Sequence, residues 1–424
     1  MNYSESLAYL ASTRILGSRL GLENIGILLK YLDDPQKDLS FIHVTGTNGK
    51  GSTIAFLHSI LSQTYTIGTF TSPAIDLINE QIRINDSIIS DIDFARIATQ
   101  VAQKREQMIL DGHAAPTEFE CMTAMAFLYF KENQCDLCLL EVGMGGDTDA
   151  TNIIDTSVLS IITSISLDHA DYLGHTLKEI TDHKAGIIKE NGHVLTYPQE
   201  KEVMKVLTHV CDEKKACLYI PDLKPELTGH SLDHLTFSYR NFTNCTIHLT
   251  GLYQMYNASL AIEACFILRQ LGWPVSDTQI RTGLQITRWT GRFEVIRKDP
   301  LILVDGSHNS QGALKLADTL SIHFPDQKVI LVIGVLKDKD YETMTDCLVP
   351  HAKSIYTISV PNPRSLSAVE LKKVLEKKTT VDIYACNSLE QAVNLALGAA
   401  AKEDVILFCG SLYSIGQIKT LLLR

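Results

Sequence analysis

The segment HVTGTNGKGST, His43 to Thr53, carries the residue types best suited to chemistry. An apolar run leads into it, Gly46, Gly49 and Gly51 surround Lys50, and a helical pattern follows from Ser52 and Thr53. Helix N-termini expose unpaired N–H groups and the positive end of the helix dipole, so a chain of phosphates sits favourably there. Glycines let the backbone curl close to such a ligand, and a lysine places a cation against its β- and γ-phosphates. Thr47, Asn48, Gly49, Lys50, Gly51 and Ser52 are therefore the candidate nucleotide-binding residues. The spacing differs from GxxxxGK[ST]: Val44 stands two residues before Gly46, and Gly51 separates Lys50 from the first hydroxyl. Taken alone, the loop points to nucleotide phosphate and chooses no reaction; a glycine-rich turn with a surface lysine is the ordinary alternative.

Three further residues follow strand-like runs. Ser72 lies in TFTSPA, Glu141 in LLEVGMGG and His169 in SISLDHADYLG. Open parallel sheets gather ligands at the carboxyl ends of their strands. A hydroxyl, a carboxylate and an imidazole would then meet near the phosphate loop. Mg²⁺ takes few protein groups and prefers oxygen, which suits Ser72 and Glu141 and makes His169 an unusual third ligand. Read singly, these are a turn hydroxyl, an end-of-strand acid and a helix-cap neighbour. Lys184, in ITDHKAGIIK, reads as a solvated helix lysine.

The elements that must position these residues alternate in type. FIHVTG, YTIGTFTS, DLCLLEVG and SVLSIITSI read as strands; STIAFLHSILSQ, DIDFARIATQVAQKREQMI and EFECMTAMAFLYFKEN read as helices. Such alternation predicts a parallel sheet with helices on its faces. LTFSYRNFTNCTIHLTG predicts a small antiparallel element, and YNASLAIEACFILRQLG a helix starting at Asn257. A second α/β series begins near Leu301 with LILVDG, KVILVIGVL, SIYTISV, TVDIYA and DVILFCG as strands. Gly291 and Pro300 interrupt TRWTGRFEVIRKDP, so domains of residues 1–296 and 297–424 are expected.

A chain of 424 residues is long enough for more than one core. A net charge of -11 argues against a protein built to coat nucleic acid or an anionic membrane. No apolar stretch is long enough to span a bilayer. The N-terminus reads as amphipathic helix broken by Gly17 and Gly21, without the layout of a signal peptide. Ten scattered cysteines suit free thiols in a reducing cytoplasm. Cys135 and Cys138 form a CxxC inside an apolar run, which reads as core strand.

HVTGTNGKGST, GTFTSPAIDLINEQIRI, TEFECMTAMAF, EVGMGGDTDATNII, SISLDHADYLG, HKAGIIK, YQMYNASLA, GRFEV, DGSHN, VIGVLKDKD and CGSLYS together resemble, in content and order, the Mur ligase superfamily and within it the folylpolyglutamate and dihydrofolate synthases. The resemblance implies a Mur-ligase-like N-terminal P-loop domain and a C-terminal Rossmann-like α/β domain that close on the active site. It implies ATP-dependent addition of L-glutamate to a folate through an acyl phosphate, by a monomer that uses ATP and Mg²⁺. Thr47 to Lys50 would hold the phosphates; Ser72, Glu141 and His169 the metal; Asn257, Arg292 and Asp305 the nucleotide. Lys184 resembles the family's carbamylated lysine, and His308 would act beside Asp305. Folate-type substrates are expected near LGSRLGLENI, near Phe119 and Glu120 of TEFE, and near Asp149 of DTDATN. Ala74, Asp147 and Arg19 depart from common family residues on the pterin side. Polyglutamylation is therefore the first expectation, with dihydropteroate as a further acceptor. A cell-wall Mur ligase would need a uridine-nucleotide subdomain ahead of the loop. A phosphate-loop switch or binding module leaves the second α/β unit without a purpose.

Overall fold

Phe41–Thr45 (β1) is buried along its whole length, as a parallel strand covered by helices on both faces must be. The computed structural model describes residues 1–17 and 19–422. Ser18, within the LGSRLGLENI segment expected near the substrate, and Leu423 and Arg424 lie outside the described residues. The chain forms two compact units, each discontinuous: residues 1–223 with 257–283, and residues 224–256 with 284 onward.

In the first unit, helices Tyr3–Thr13 (α1) and Glu23–Tyr31 (α2) precede β1. They are followed by Lys50–Leu61 (α3), Ile67–Phe70 (β2), Ile82–Ile84 (β3), Ser87–Ile88 (β4), Asp91–Leu110 (α4) and Glu118–Glu132 (α5). Leu137–Glu141 (β5), Leu159–Ile162 (β6), Ala170–Leu173 (α6), Leu177–Ala185 (α7), His193–Thr196 (β7), Lys201–Glu213 (α8) and Cys217–Tyr219 (β8) come next. Gln254–Gln270 (α9) and Asp277–Ile286 (α10) supply the later segment. The strand order is β4-β3-β2-β5-β1-β6-β7-β8. Strands β2, β5, β1, β6, β7 and β8 run parallel, with β3 and β4 antiparallel at one edge. One apolar layer gathers Leu28 and Leu29 of α2, Phe94, Ile97 and Val101 of α4, and Phe127 and Phe130 of α5. Another joins Ile162 of β6 to Ile180 of α7 and Val203 and Leu207 of α8. Helix α5 starts in a capping box, Thr117 with Glu120, worth about 1 kcal/mol.

In the second unit, Glu226–His230 (β9), Leu235–Tyr239 (β10) and Phe242–Ile247 (β11) make the expected antiparallel element. A six-stranded sheet follows, built from Glu294–Lys298 (β12), Leu301–Val304 (β13), Val329–Ile333 (β14), Ala352–Thr357 (β15), Asp382–Ala385 (β16) and Val405–Cys409 (β17). Its helices are Ser310–His323 (α11), Tyr341–Leu348 (α12), Ala368–Leu375 (α13), Leu389–Ala399 (α14) and Ile415–Leu422 (α15). The order is β12-β13-β17-β14-β15-β16, parallel except for β12. The five strands expected from Leu301 onward are β13 to β17.

Three features differ from expectation. The interrupted segment around Gly291 contains β12, which pairs antiparallel with β13. A cut between 296 and 297 would pass through that strand, and the compact units divide elsewhere. Helix α9 begins at Gln254, so Asn257 stands inside its first turn. Short strands β3, β4, β7 and β8 carry too little pattern to be read from sequence. Cys138 lies within β5 and, like Cys135, is buried. Among the described residues, no helix is long and apolar enough to cross a membrane.

Candidate active site

The strand order places β1 between β5 and β6: the crossover from β1 runs to β2 on one side, the connection from β5 passes β1 to reach β6 on the other, and the carboxyl ends of β2, β5, β1 and β6 lie side by side. That is where an open parallel sheet leaves a crevice. Register fixes the levels. Val44 pairs with Glu141, Thr45 with Ile162, and Phe70 with Leu140. The phosphate loop after β1, the Ser72 turn after β2 and Glu141 at the end of β5 therefore share one rim, as does the loop after β6.

The loop is tied to the segment that follows β6. The Thr47 N–H donates to Ser164 O at 2.6 Å, and the Ser164 hydroxyl donates to Asn48 O at 3.1 Å. The Thr47 hydroxyl donates to Ser166 O at 3.0 Å and accepts from Ser166 N at 3.1 Å. Gly49 caps α3 with φ 94°, a left-handed conformation that glycine adopts without strain. A side chain there would also meet Asn257 Oδ1 at 2.6 Å, which puts buried Asn257 against the loop. Lys50 Nζ donates to Gly46 O at 3.2 Å and Thr47 O at 3.4 Å, curled over the loop. Ser52 is buried in the first turn of α3. Gly46 has φ 143°, and a Cβ on it would collide with Thr163 Oγ1. Gly46→Ala is expected to lose nucleotide affinity and about 1–3 kcal/mol of stability. Nucleotide titration beside a thermal melt checks both.

Glu141 is 6% exposed, and its Oε2 accepts the Ser72 N–H at 3.3 Å. A nearly buried carboxylate and a neighbouring hydroxyl beside a phosphate-binding turn fit a hard divalent cation that keeps other oxygen ligands. His169 follows β6, has left-handed backbone with φ 54°, and caps the short helix α6. It follows the strand on the far side of β1 from Glu141. Among the described residues, no group of three or more His, Cys, Asp or Glu side chains is placed to hold a metal; Ser72, Glu141 and His169 include only two of those types.

Lys184, read from sequence as solvated, is buried, and its Nζ donates to Gly46 O at 2.9 Å. Burial, reinforced by the Lys50 charge, lowers its pKa to about 7; Asp168 and Asp149 oppose the shift. The last turn of α7 thus brings an amine that loses its proton near neutrality to the loop backbone.

The expected substrate residues divide. Phe119 covers the turn after Glu141: a side chain at Gly143 would meet Phe119 Cζ at 2.8 Å, and Phe119 packs 5.7 Å from the Phe70 ring. Glu120 caps α5 through Oε2, which accepts Thr117 N at 2.7 Å and the Thr117 hydroxyl at 2.8 Å. Asp149 accepts four bonds from the chain. Thr151 N and its hydroxyl reach Oδ1 at 3.0 and 2.6 Å, and Gly143 N and Met144 N reach Oδ2, both at 3.0 Å. Burial raises its pKa against those bonds. Both carboxylates brace the backbone. Asp147, a departure from the family, holds His183 Nδ1 at 2.9 Å.

Within the second unit, Asp305 sits at the end of β13, 1% exposed. Its carboxylate accepts Phe293 N at 2.9 Å, the Tyr253 hydroxyl at 3.0 Å and Ser307 N at 2.8 Å. Burial, with the Asp305 charge, pushes the Tyr253 hydroxyl well up. His308 Nδ1 is 2.9 Å from Gly306 O; donation to that carbonyl puts the proton on Nδ1. Arg292 lies against Gly306. The structure thus gathers Arg292, Asp305 and His308 on one strand end, with Asp305 serving as its brace.

Sequence reasoning missed His43, Thr45 and Thr151. Thr45 donates to Gly145 O at 2.7 Å, and His43 Nε2 lies 2.8 Å from Thr151 Oγ1. The available signal was the presence of polar residues in a run that β1 buries completely.

Comparison with known proteins gives the family. Residues 44–265 match the Mur ligase middle domain, and residues 291–412 the Mur ligase glutamate ligase domain. The chain is 34% identical to the dihydrofolate synthase/folylpolyglutamate synthase of Bacillus subtilis, across 98% of each chain. It is similar to the solved folylpolyglutamate synthase of Mycobacterium tuberculosis complexed with ADP and AMPPCP, with TM-score 0.88 and 28% identity over 100% of this chain and 99% of that one. A solved FPGS–AMPPCP–folate complex aligns with TM-score 0.86 and 32% identity over 100% of both chains. The chain belongs to the Mur ligase superfamily and, within it, to the folylpolyglutamate synthase and dihydrofolate synthase family.

Proposed function

We infer that this chain is an ATP-dependent ligase that adds L-glutamate to folates. The observation that carries the reading is the shared rim of β2, β5, β1 and β6, where the glycine loop, Lys50, Ser72 and Glu141 converge. The folate and nucleotide complexes of its relatives supply the substrate class.

A carboxylate is a poor acyl donor because its leaving group would be oxide. Transfer of the ATP γ-phosphoryl group to the folate carboxylate releases ADP and gives an acyl phosphate. The glutamate amine then attacks the acyl carbon, the C–N bond forms, phosphate leaves and the amine loses a proton. Phosphoryl transfer demands positioning and charge neutralisation above all. Lys50 and the N–H groups that open α3 face the phosphates. Ser72 and Glu141, with His169 by resemblance, would hold Mg²⁺, which when bound neutralises phosphate charge. Asn257, beside Gly49, is assigned to the nucleotide, as are Arg292 and Asp305 by resemblance, with His308 acting beside Asp305. Ten free cysteines suit a reducing cytoplasm, and a monomer acting on small molecules is the working description.

Offering tetrahydrofolate and dihydropteroate separately with ATP, Mg²⁺ and glutamate tests the function. Tetrahydrofolate is expected to gain glutamyl residues by mass, with ADP release dependent on both acceptor and glutamate. Hydrolysis of ATP indifferent to both would replace the ligase with a switch.

A further inference from the structure

His43 occupies the middle of β1 with no exposed surface, and the reaction described above gives it no role. Strand alternation puts Phe41, His43 and Thr45 on one face. From that face, two polar side chains reach the loop that runs on from Glu141. Thr45 donates to Gly145 O at 2.7 Å. His43 works at one remove. The Thr151 hydroxyl has a single proton, and its 2.6 Å bond to Asp149 Oδ1 uses it. The same oxygen must then accept from His43 Nε2, 2.8 Å away. That fixes His43 as the neutral Nε2–H tautomer. Its Nδ1 is buried with no hydrogen-bond partner, as a ring held for its other nitrogen would be. Asp149 in turn holds the N–H groups of Gly143 and Met144 through Oδ2.

We propose that His43 is a positioning residue for the ligase reaction: it orients the Thr151 hydroxyl, which orients Asp149, which fixes the Gly143–Met144 turn and with it the direction of the adjoining Glu141 carboxylate. This rests on the ligase reading, in which Glu141 holds the metal. The phosphate loop is moored separately, to Ser164 and Ser166, so the relay acts on Glu141 and leaves nucleotide binding alone. Burial holds the His43 pKa near 3, consistent with a ring that stays neutral across the working range.

The test compares His43→Leu, His43→Gln, Thr151→Val and the Leu/Val double variant of the full chain. Gln carries an amide N–H close to the place of Nε2. His43→Leu and Thr151→Val are each expected to lower kcat about tenfold. Both should raise the Mg²⁺ concentration at half-maximal turnover, while ATP-binding stoichiometry and affinity stay within about twofold. The double variant should lose no more than either single one, and His43→Gln should recover most of the loss. Nitrogen-resolved NMR of the wild type should show a neutral His43 protonated at Nε2. Three results each overturn the proposal: unchanged kinetics in His43→Leu, a Gln variant as impaired as the Leu variant, or a ring protonated at Nδ1. A wild type without folate-dependent turnover would instead sink the ligase reading, and the NMR arm would still decide the tautomer and hence the relay.

Discussion

Replacing Lys50 with alanine should lower ligase turnover about 10³-fold or more while the protein stays folded. The cation is placed by two carbonyls of its own loop, Gly46 O and Thr47 O, so the deletion removes charge at the phosphates without opening the core. Helix α3 keeps its anchorage, since Ile54, Phe56, Leu57 and Ile60 are fully buried. Steady-state ADP release, with a thermal melt beside it, checks both halves. A variant with normal turnover would free Lys50 of its assignment; one that is simply unfolded would show the loop to be a folding element.

The second large effect belongs to Lys184. Lys184→Met should cost about 10²-fold in kcat and yet stabilise the protein near neutral pH. The folded pKa is about 7 against the ordinary lysine value of 10.5, so between those pH values the unfolded chain binds the extra proton. Stability therefore rises with pH across that window, and the burial penalty stands in full below about pH 7. The penalty is on the order of a few kcal/mol; methionine removes it along with the bond to Gly46 O. The variant's advantage should be greatest below pH 7 and shrink as pH approaches 10.5. Denaturant melts of both proteins across that range measure it, and an advantage independent of pH would mean the amine is not the source. The same neutral amine is the form that can add CO₂: an N–C bond forms as one C–O π bond opens, one proton leaves the nitrogen, and the neutral amine becomes a carbamate anion. Intact mass after mild trapping would reveal that modification.

The strand, glycine turn and helix around Lys50 were legible in the sequence because their causes are local: a buried run, conformationally free glycines and a capped helix start within a dozen or so residues. The alternation that gives β13 to β17 was readable for the same reason. Glu120 carries a second local signal besides the expected one. TEFE is itself a capping-box pattern, and one carboxylate oxygen, Oε2, accepts from Thr117. Asp149 and Lys184 could not be judged in advance, because exposure decides their chemistry and arises from elements far away in sequence. Asn257 reaches Gly49 only because α9 returns to the first unit. Strands β7 and β8 gain their identity from pairing, β7 with β6 and β8 with β7, which no short window contains.

The interleaved course of the chain bears on how it is made. Residues 224–256 leave the ribosome before α9 and α10, although they belong to the later-completed unit. Strands β9 to β11 can pair with one another, but the rest of their unit is still unsynthesised while the first unit closes around its last helices. A gene fragment stopped at 296 would strand that sheet and half of the β12–β13 hairpin. Such a product should be recovered as aggregate, whereas separate expression of the halves would require rejoining each unit's two segments through a new linker.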